Sequence, residues 1–224
     1  MLKAICYEVG YCITGSGSLH VSKSGKNNRV RIIGGVWRGR RLEVADVPGL
    51  RPSGDRCRET LFNWLQPWIS GAECADLFAG TGALGFEAAS RGAASVLMIE
   101  KHRRAQQVLR QSIEQLQATQ VRLHAGGAMS LIDDFKPDSF DLVFVDPPFE
   151  SNLGALVLER LDRNASVRQG GFVYMESPAS AARAIHTPQG WSLWREKQLG
   201  EVRMQLFRRQ VPDDERNLPD DGSD

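Results

Sequence analysis

The chain predicts an α/β fold: a mostly parallel sheet with helices on both faces and an antiparallel hairpin at one edge. Three observations predict it. From about residue 71 to residue 176, short apolar runs alternate with amphipathic segments of helix length. That alternation is the pattern of right-handed βαβ crossovers. A glycine-rich turn, Gly80-Thr81-Gly82, joins the first of these strands to its helix. Two strand-like segments, Trp191 to Lys197 and Val202 to Phe207, face each other across Leu199-Gly200 near the end.

The elements follow in order. Residues 1–28 contain Gly15-Ser16-Gly17-Ser18 and a polar run from Ser22 to Asn28, so they read as a flexible extension. Residues 29–70 read as a basic β-ribbon and a helix. Arg29 to Ile33 is a strand, Gly34-Gly35 breaks it, and Trp37 to Leu42 turns into a second short strand. After Leu50-Arg51-Pro52, Ser53 or Asp55 can cap a helix whose apolar face is Leu61, Trp64, Leu65 and Trp68. In the following domain, residues 71–209, Glu73 to Phe78 is a strand, Ala83 to Arg91 a helix, and Ser95 to Ile99 a strand ending at Glu100. His102 to Ala118 is a helix with Val108, Ile113 and Leu116 inward. Val121 to His124 is a strand and Ala128 to Phe135 a short helix. Phe140 to Val145 is a strand, Leu153 to Leu161 a helix, and Gly171 to Glu176 a strand. Residues 210–224 hold six acids against Arg216, with Pro212, Pro219 and Gly222, and read as a disordered tail.

Composition narrows the function classes. An apolar share of 42% supports a packed core. The net charge of +1 says nothing of partners, but its distribution does. Ten Lys and Arg lie between Lys23 and Arg58, against Glu43, Asp46 and Asp55. That front end is a candidate nucleic-acid footprint, with Arg31, Arg38, Arg40, Arg41, Arg51, Arg56 and Arg58 as phosphate contacts. The cysteines, Cys6, Cys12, Cys57 and Cys74, form no C-x-x-C pair and have no His cluster beside them. Neither a metal site nor a disulfide framework is expected, and reduced thiols fit the cytoplasm. No apolar run approaches the roughly 18 residues that span a membrane.

In open α/β sheets, ligands bind beyond the carboxyl ends of the strands. Three such ends carry unusual residues. The first is Asp76-Leu77-Phe78-Ala79-Gly80-Thr81-Gly82, where small residues let a ligand approach the backbone. The second is Glu100, 18 residues after Gly82, where an acid can accept both hydroxyls of a ribose. These two fit a dinucleotide or S-adenosyl-L-methionine. Asp76 favours the second, since an acid there suits a cationic methionine portion better than a pyrophosphate. The third end is Asp146-Pro147-Pro148-Phe149. Two prolines make a stiff ledge with bare carbonyls. An acid and an aromatic on either side suit a flat, amine-bearing ring, and a dehydrogenase has no use for them.

Asp76 to Gly85 and Val145 to Phe149 resemble motifs I and IV of the class I amino-methyltransferases. Arg31-Ile32-Ile33-Gly34-Gly35, Trp37-Arg38-Gly39-Arg40 and Leu50 to Leu65 resemble, more narrowly, the bacterial RsmD family. The resemblance covers about residues 29–209. It implies a class I (Rossmann-like) S-adenosyl-L-methionine-dependent methyltransferase that modifies the exocyclic N2 amine of a guanine in small-subunit (16S) ribosomal RNA. It implies a monomer acting on an assembling or assembled subunit. It implies cofactor contacts at Asp76, Phe78, Ala79, Gly80, Thr81, Gly82, Glu100, Lys101, Gly127, Ala128, Met129 and Asp146. Asp146, Pro147, Pro148 and Phe149 are expected to carry the chemistry. One departure stands out: family members commonly have Asn or Asp where this chain has Gly127. A missing side-chain hydrogen bond to the adenine there costs roughly 0.5–1.5 kcal/mol. A DNA adenine-N6 methyltransferase would use the same ledge but lacks a sequence-reading domain here. A non-catalytic RNA-binding assembly factor would need only the ribbon.

Overall fold

The computed structural model describes residues 6–7, 11–12, 29–47, 54–147, 153–180 and 187–211. Among these, Cys6–Tyr7 (β1) and Tyr11–Cys12 (β2) pair antiparallel. The flexible-linker segments expected within residues 1–28, and all but the first two residues of the tail expected at 210–224, lie outside the described residues.

A seven-stranded sheet organises the rest. Its strands are Glu73–Asp76 (β5), Ser95–Glu100 (β6), Val121–Ala125 (β7), Phe140–Val145 (β8), Val167–Pro178 (β9), Trp191–Leu199 (β10) and Val202–Arg209 (β11). They lie in the order β10-β11-β9-β8-β5-β6-β7. The five from β9 to β7 are mutually parallel. β11 runs antiparallel to both β9 and β10. The terminal hairpin therefore does not simply extend the edge. Its second strand inserts between β9 and β10, so β10 runs in the same sense as the parallel strands.

Two apolar clusters cover the two faces. Alternation decides which residue joins which. Cys74, Val96, Met98, Phe144 and Tyr174 face one way, toward Asp55–Leu65 (α1), Ala83–Ser90 (α2) and Arg103–Leu116 (α3). Ala75, Ile99, Val143, Val145, Val173 and Met175 face the other, toward Ala128–Leu131 (α4), the 3₁₀ turn Ile132–Asp134 and Leu153–Arg163 (α5).

Local details differ from the expected pattern. The expected cap Ser53 lies outside the described residues, and Gly54 occupies the N-cap of α1 without a side-chain hydrogen bond. The inward face of α1 is Cys57, Arg58, Leu61, Phe62 and Leu65. Trp68 falls beyond the helix, is 38% exposed, and packs on Phe172 and Trp194 with ring centroids 4.9 and 5.0 Å away. In α3, Leu109 is buried where Val108 was expected, and Val108 is half-buried.

The ribbon, Arg29–Arg31 (β3) and Arg41–Glu43 (β4), docks on the first face. Val30 and Leu42 point inward, while Arg29, Arg31, Arg41 and Glu43 point to solvent. Helix α2 holds it. The Glu87 carboxylate accepts the backbone N–H of Ile33 at 2.8 Å and of Gly34 at 2.7 Å. The Ser90 hydroxyl donates to the Gly34 carbonyl and accepts the Trp37 N–H. Gly35 has φ +73°, and a Cβ there would lie 1.8 Å from the Ser90 carbonyl oxygen. Only glycine allows the turn to come this close to the helix.

Candidate active site

Three acids stand in a row at the carboxyl ends of β5, β8 and β9. Asp76 pairs with Phe144, and Phe144 with Tyr174, in the parallel register. Two residues further on, Asp146 leaves β8 beside Glu176 of β9. Period-2 alternation puts Asp146 and Glu176 on the same face as Asp76. Sequence alone pointed to the first two acids.

Asp76 is fully buried. Its Oδ2 accepts the Gly85 N–H at 3.0 Å, while Oδ1 has no hydrogen-bond donor among the described residues. Burial pushes its carboxyl up to about 7, eased by the Gly85 N–H and increased by the nearby charges of Asp146 and Glu100. An orphaned buried carboxylate oxygen is a place for a ligand's donor.

The turn after β5 is shaped by glycine. Gly82 has φ +74° and caps α2, and a Cβ on it would strike Phe86 at 2.6 Å and Leu109 at 2.7 Å. Ala79 and Thr81 are buried, and Phe78 and Gly80 are half-buried. Glu100 ties this turn to the end of β6. One of its carboxylate oxygens accepts the Gly80 N–H at 2.9 Å, and the other accepts the His102 N–H at 2.7 Å. Lys101 beside it is exposed. Gly127 is the N-cap of α4, Ala128 is buried and Met129 half-buried. A Cβ at Gly127 would meet only the Ser130 hydroxyl, at 3.9 Å. The turn therefore has room for a side chain that this sequence does not supply.

These residues fit S-adenosyl-L-methionine. The orphaned Asp76 oxygen offers an acceptor for a cationic amino group. The glycine turn admits close approach, and Glu100 retains lone pairs for hydroxyls. At the ledge, Asp146 is half-buried and Pro147 buried. Pro148 and Phe149, expected to complete it, lie outside the described residues.

Of the expected phosphate contacts, Arg31, Arg38, Arg40, Arg41 and Arg56 are exposed. Arg31 reaches Asp55 at 3.7 Å, and Arg40 donates to the Gln115 carbonyl at 3.2 Å. Arg51 lies outside the described residues. Arg58 does not serve as a phosphate contact: it is 1% exposed. Its guanidinium pairs with Asp55 at 2.6 Å and Glu87 at 3.6 Å, and donates to the Arg31 carbonyl. Its charge is met by acids and a carbonyl inside the fold.

Sequence reasoning missed Glu87, Tyr174 and Glu176. Glu176 is buried and accepts the Tyr174 hydroxyl at 2.7 Å. Burial and the Asp146 charge push its carboxyl up to about 8, opposed by the Tyr174 hydrogen bond and by Arg58. The signal was available, because an acid ending an apolar strand is what singled out Glu100. The two cysteine side chains that are described carry no such role. Cys57 and Cys74 are buried, and burial above all holds both thiols neutral, Cys57 at about 11. Among the described residues no group of His, Cys, Asp and Glu is arranged to hold a metal.

Comparison with known proteins agrees with this geometry. The family model described as Conserved hypothetical protein 95 matches residues 30–208. The Ribosomal RNA small subunit methyltransferase D of Escherichia coli (strain K12) is 44% identical over 185 residues, which cover 83% of this chain and 92% of that protein. The protein of the same name from Haemophilus influenzae is 40% identical over 182 residues, 80% of this chain and 93% of its own. Among solved structures, the putative methyltransferase yhhF from Escherichia coli superposes with a TM-score of 0.75 at 42% identity, over 82% of this chain and 99% of that one. With four fifths of its length under one family model and more than nine tenths of two curated relatives covered, the chain belongs to the RsmD family of methyltransferases.

Proposed function

We propose that the protein uses S-adenosyl-L-methionine to methylate the N2 amine of a guanine in small-subunit ribosomal RNA. The observation that carries this reading is the acid row beside the glycine turn. Cofactor acceptors at Asp76 and Glu100 adjoin an amine acceptor at Asp146. The names of the relatives supply the substrate class. The substrate is naked RNA or a subunit particle in the cytoplasm, and the enzyme acts as a monomer. Among the described residues no helix is long and apolar enough to cross a membrane.

When bound, S-adenosyl-L-methionine supplies an electrophilic methyl group on a cationic sulfonium. Asp76, the Phe78 to Gly82 turn, Glu100, Lys101, Gly127, Ala128 and Met129 hold it. Asp146 and the Pro147 carbonyl accept the two N–H bonds of the target amine. An arylamine nitrogen is a poor nucleophile because its lone pair is delocalised into the ring. Two acceptors below that nitrogen favour a pyramidal, electron-rich form and fix its direction of attack. Positioning then supplies most of the acceleration. Asp146 takes the proton that the amine sheds after transfer, when that proton has become acidic. Phe149 stacks on the base, which must be unpaired or flipped out to reach the ledge. The arginines of the ribbon, with Arg51 and Arg56, bind phosphates and orient the RNA.

Labelled methyl transfer tests the reading, followed by mass-spectrometric mapping of methylated nucleotides in cells with and without the gene. A missing N2-methylguanosine in the small-subunit RNA of cells lacking the gene is expected. Transfer to duplex DNA adenine, or to no nucleic acid, would overturn it. Asp146→Ala should abolish single-turnover transfer while leaving RNA binding intact.

A further inference from the structure

Glu176 has no part in the chemistry above, yet it stands next to it. The β8–β9 register pairs Val145 with Met175, and one step further along it sets Glu176 beside Asp146, whose charge acts on the Glu176 carboxyl. Adjacent strands are about 4.8 Å apart, so both carboxyl groups come within reach of one ring edge. Glu176 is 6% exposed, and the fully buried Tyr174 aims its hydroxyl at Oε1 from 2.7 Å. Tyr174 is itself held by packing against Phe144, with centroids 6.5 Å apart. The tyrosine thus fixes where the carboxyl points. Two acids at such spacing repel each other, and burying one of them is costly even with a tyrosine hydroxyl as its partner.

We infer that Glu176 is the residue that selects guanine, accepting the ring N1–H while Asp146 accepts the exocyclic amine. The inference rests on the functional reading above. Guanine is the base whose edge carries donors on neighbouring atoms, N1–H and the 2-amine. Adenine and other purines without N1–H turn a lone pair toward the same place. With the positive charge of a bound methyl donor beside it the carboxyl is held ionised, and a carboxylate facing a lone pair is repelled, so Glu176 then rejects those bases as well as accepting guanine. Arg58, which lies near enough to lower the proton affinity of Glu176, supplies part of the compensating positive charge. A cationic methyl donor supplies more.

The probe is 2-aminopurine, which keeps the 2-amine but has an N1 lone pair in place of N1–H. Once the methylated nucleotide is mapped, RNA carrying 2-aminopurine at that position is compared with guanine RNA in single-turnover transfer. Wild-type enzyme should prefer guanine by roughly ten- to a hundredfold, the usual discrimination of one base-edge contact. Glu176→Gln keeps the size and the Tyr174 hydrogen bond, and its amide can either accept or donate. The preference should collapse toward unity, with the guanine rate falling and the 2-aminopurine rate held or raised. A purely structural Glu176 would lower both rates equally, and an unchanged ratio overturns the inference. If Glu176→Gln does not fold, Tyr174→Phe replaces it. Loss of the orienting hydroxyl should narrow the ratio at unchanged affinity for S-adenosyl-L-methionine, and an unmoved ratio again overturns the inference. Wild-type enzyme that modifies no guanine amine would overturn the functional reading itself. Normal guanine transfer with an unmoved ratio would overturn only the role of Glu176.

Discussion

Asp76 has its carboxyl pushed up to about 7 by burial, so in the free protein it changes charge across neutral pH. A cation placed against it favours the ionised form. Affinity for S-adenosyl-L-methionine should therefore rise with pH through about 7, by at most about tenfold per pH unit, and binding should release a proton from Asp76. Titration calorimetry in buffers of different ionisation enthalpy measures that proton. Asp76→Asn should bind weakly and lose the pH dependence, whereas a wild-type affinity that is flat from pH 6 to 8 would refute the role. Both Glu100 oxygens hold backbone N–H groups of the site. Glu100→Ala should weaken cofactor binding by about 1–3 kcal/mol, the cost of leaving such groups unpaired. Unaltered affinity in calorimetry would count against the assignment. At this scale the sequence was legible wherever an acid or a glycine ends a strand. It misled at Arg58, since a buried arginine and a surface one look alike until the acids that meet it are brought in by the fold.

Helix α2 joins what the sequence presents as two unrelated segments. Its first turn follows the glycine loop, and its later residues Glu87 and Ser90 fasten the ribbon. The fully buried Glu87 also pairs with Arg91 at 2.8 Å and lies 3.6 Å from Arg58. Removing one side of a buried pair leaves the other uncompensated, typically at 3–5 kcal/mol. Glu87→Gln should lower stability by an amount of about that order in denaturant unfolding. A change below about 1 kcal/mol would show that the ribbon is held by its apolar residues instead. Exposed ribbon arginines should act only on RNA. In Arg38→Ala with Arg40→Ala, each lost phosphate contact should reduce the salt slope of binding by about one, with single-turnover rates at saturating RNA nearly unchanged. Gel-shift titrations at several salt concentrations measure this. The strands and helices were readable from periodicity, but the docking was not. Contacts between Ile33 and Glu87 span 54 residues and leave no periodic trace.

The whole molecule inherits the electrostatics of its acid row. Asp76 and Glu176 both have folded-state carboxyls raised above their ordinary range, so the folded chain keeps protons that the unfolded chain has released. As far as these groups are concerned, stability should be greatest below about pH 4, where both are protonated folded and unfolded alike, and fall as pH rises through 7 and 8. Thermal melts of the ligand-free protein at pH 5 and pH 8 test the sign. Asp76→Asn combined with Glu176→Gln should flatten the trend. The parallel core of the sheet could be foreseen from strand–helix alternation, but the place of β11 could not. Hairpin signals say that two strands pair, not which of them a third strand will accept.

The fastening of β3 and β4 to α2 bears on protein engineering. The ribbon looks like a cassette that precedes a catalytic domain, ready to be moved to another enzyme to redirect it. Its backbone N–H groups find their acceptors on Glu87 and Ser90, and the turn at Gly35 fits only against the Ser90 carbonyl. A recipient without that helix surface would leave those groups unsatisfied and the arginines unaimed. Transplantation of the ribbon therefore requires α2 to travel with it, and α2 follows directly on the Gly80–Gly82 turn.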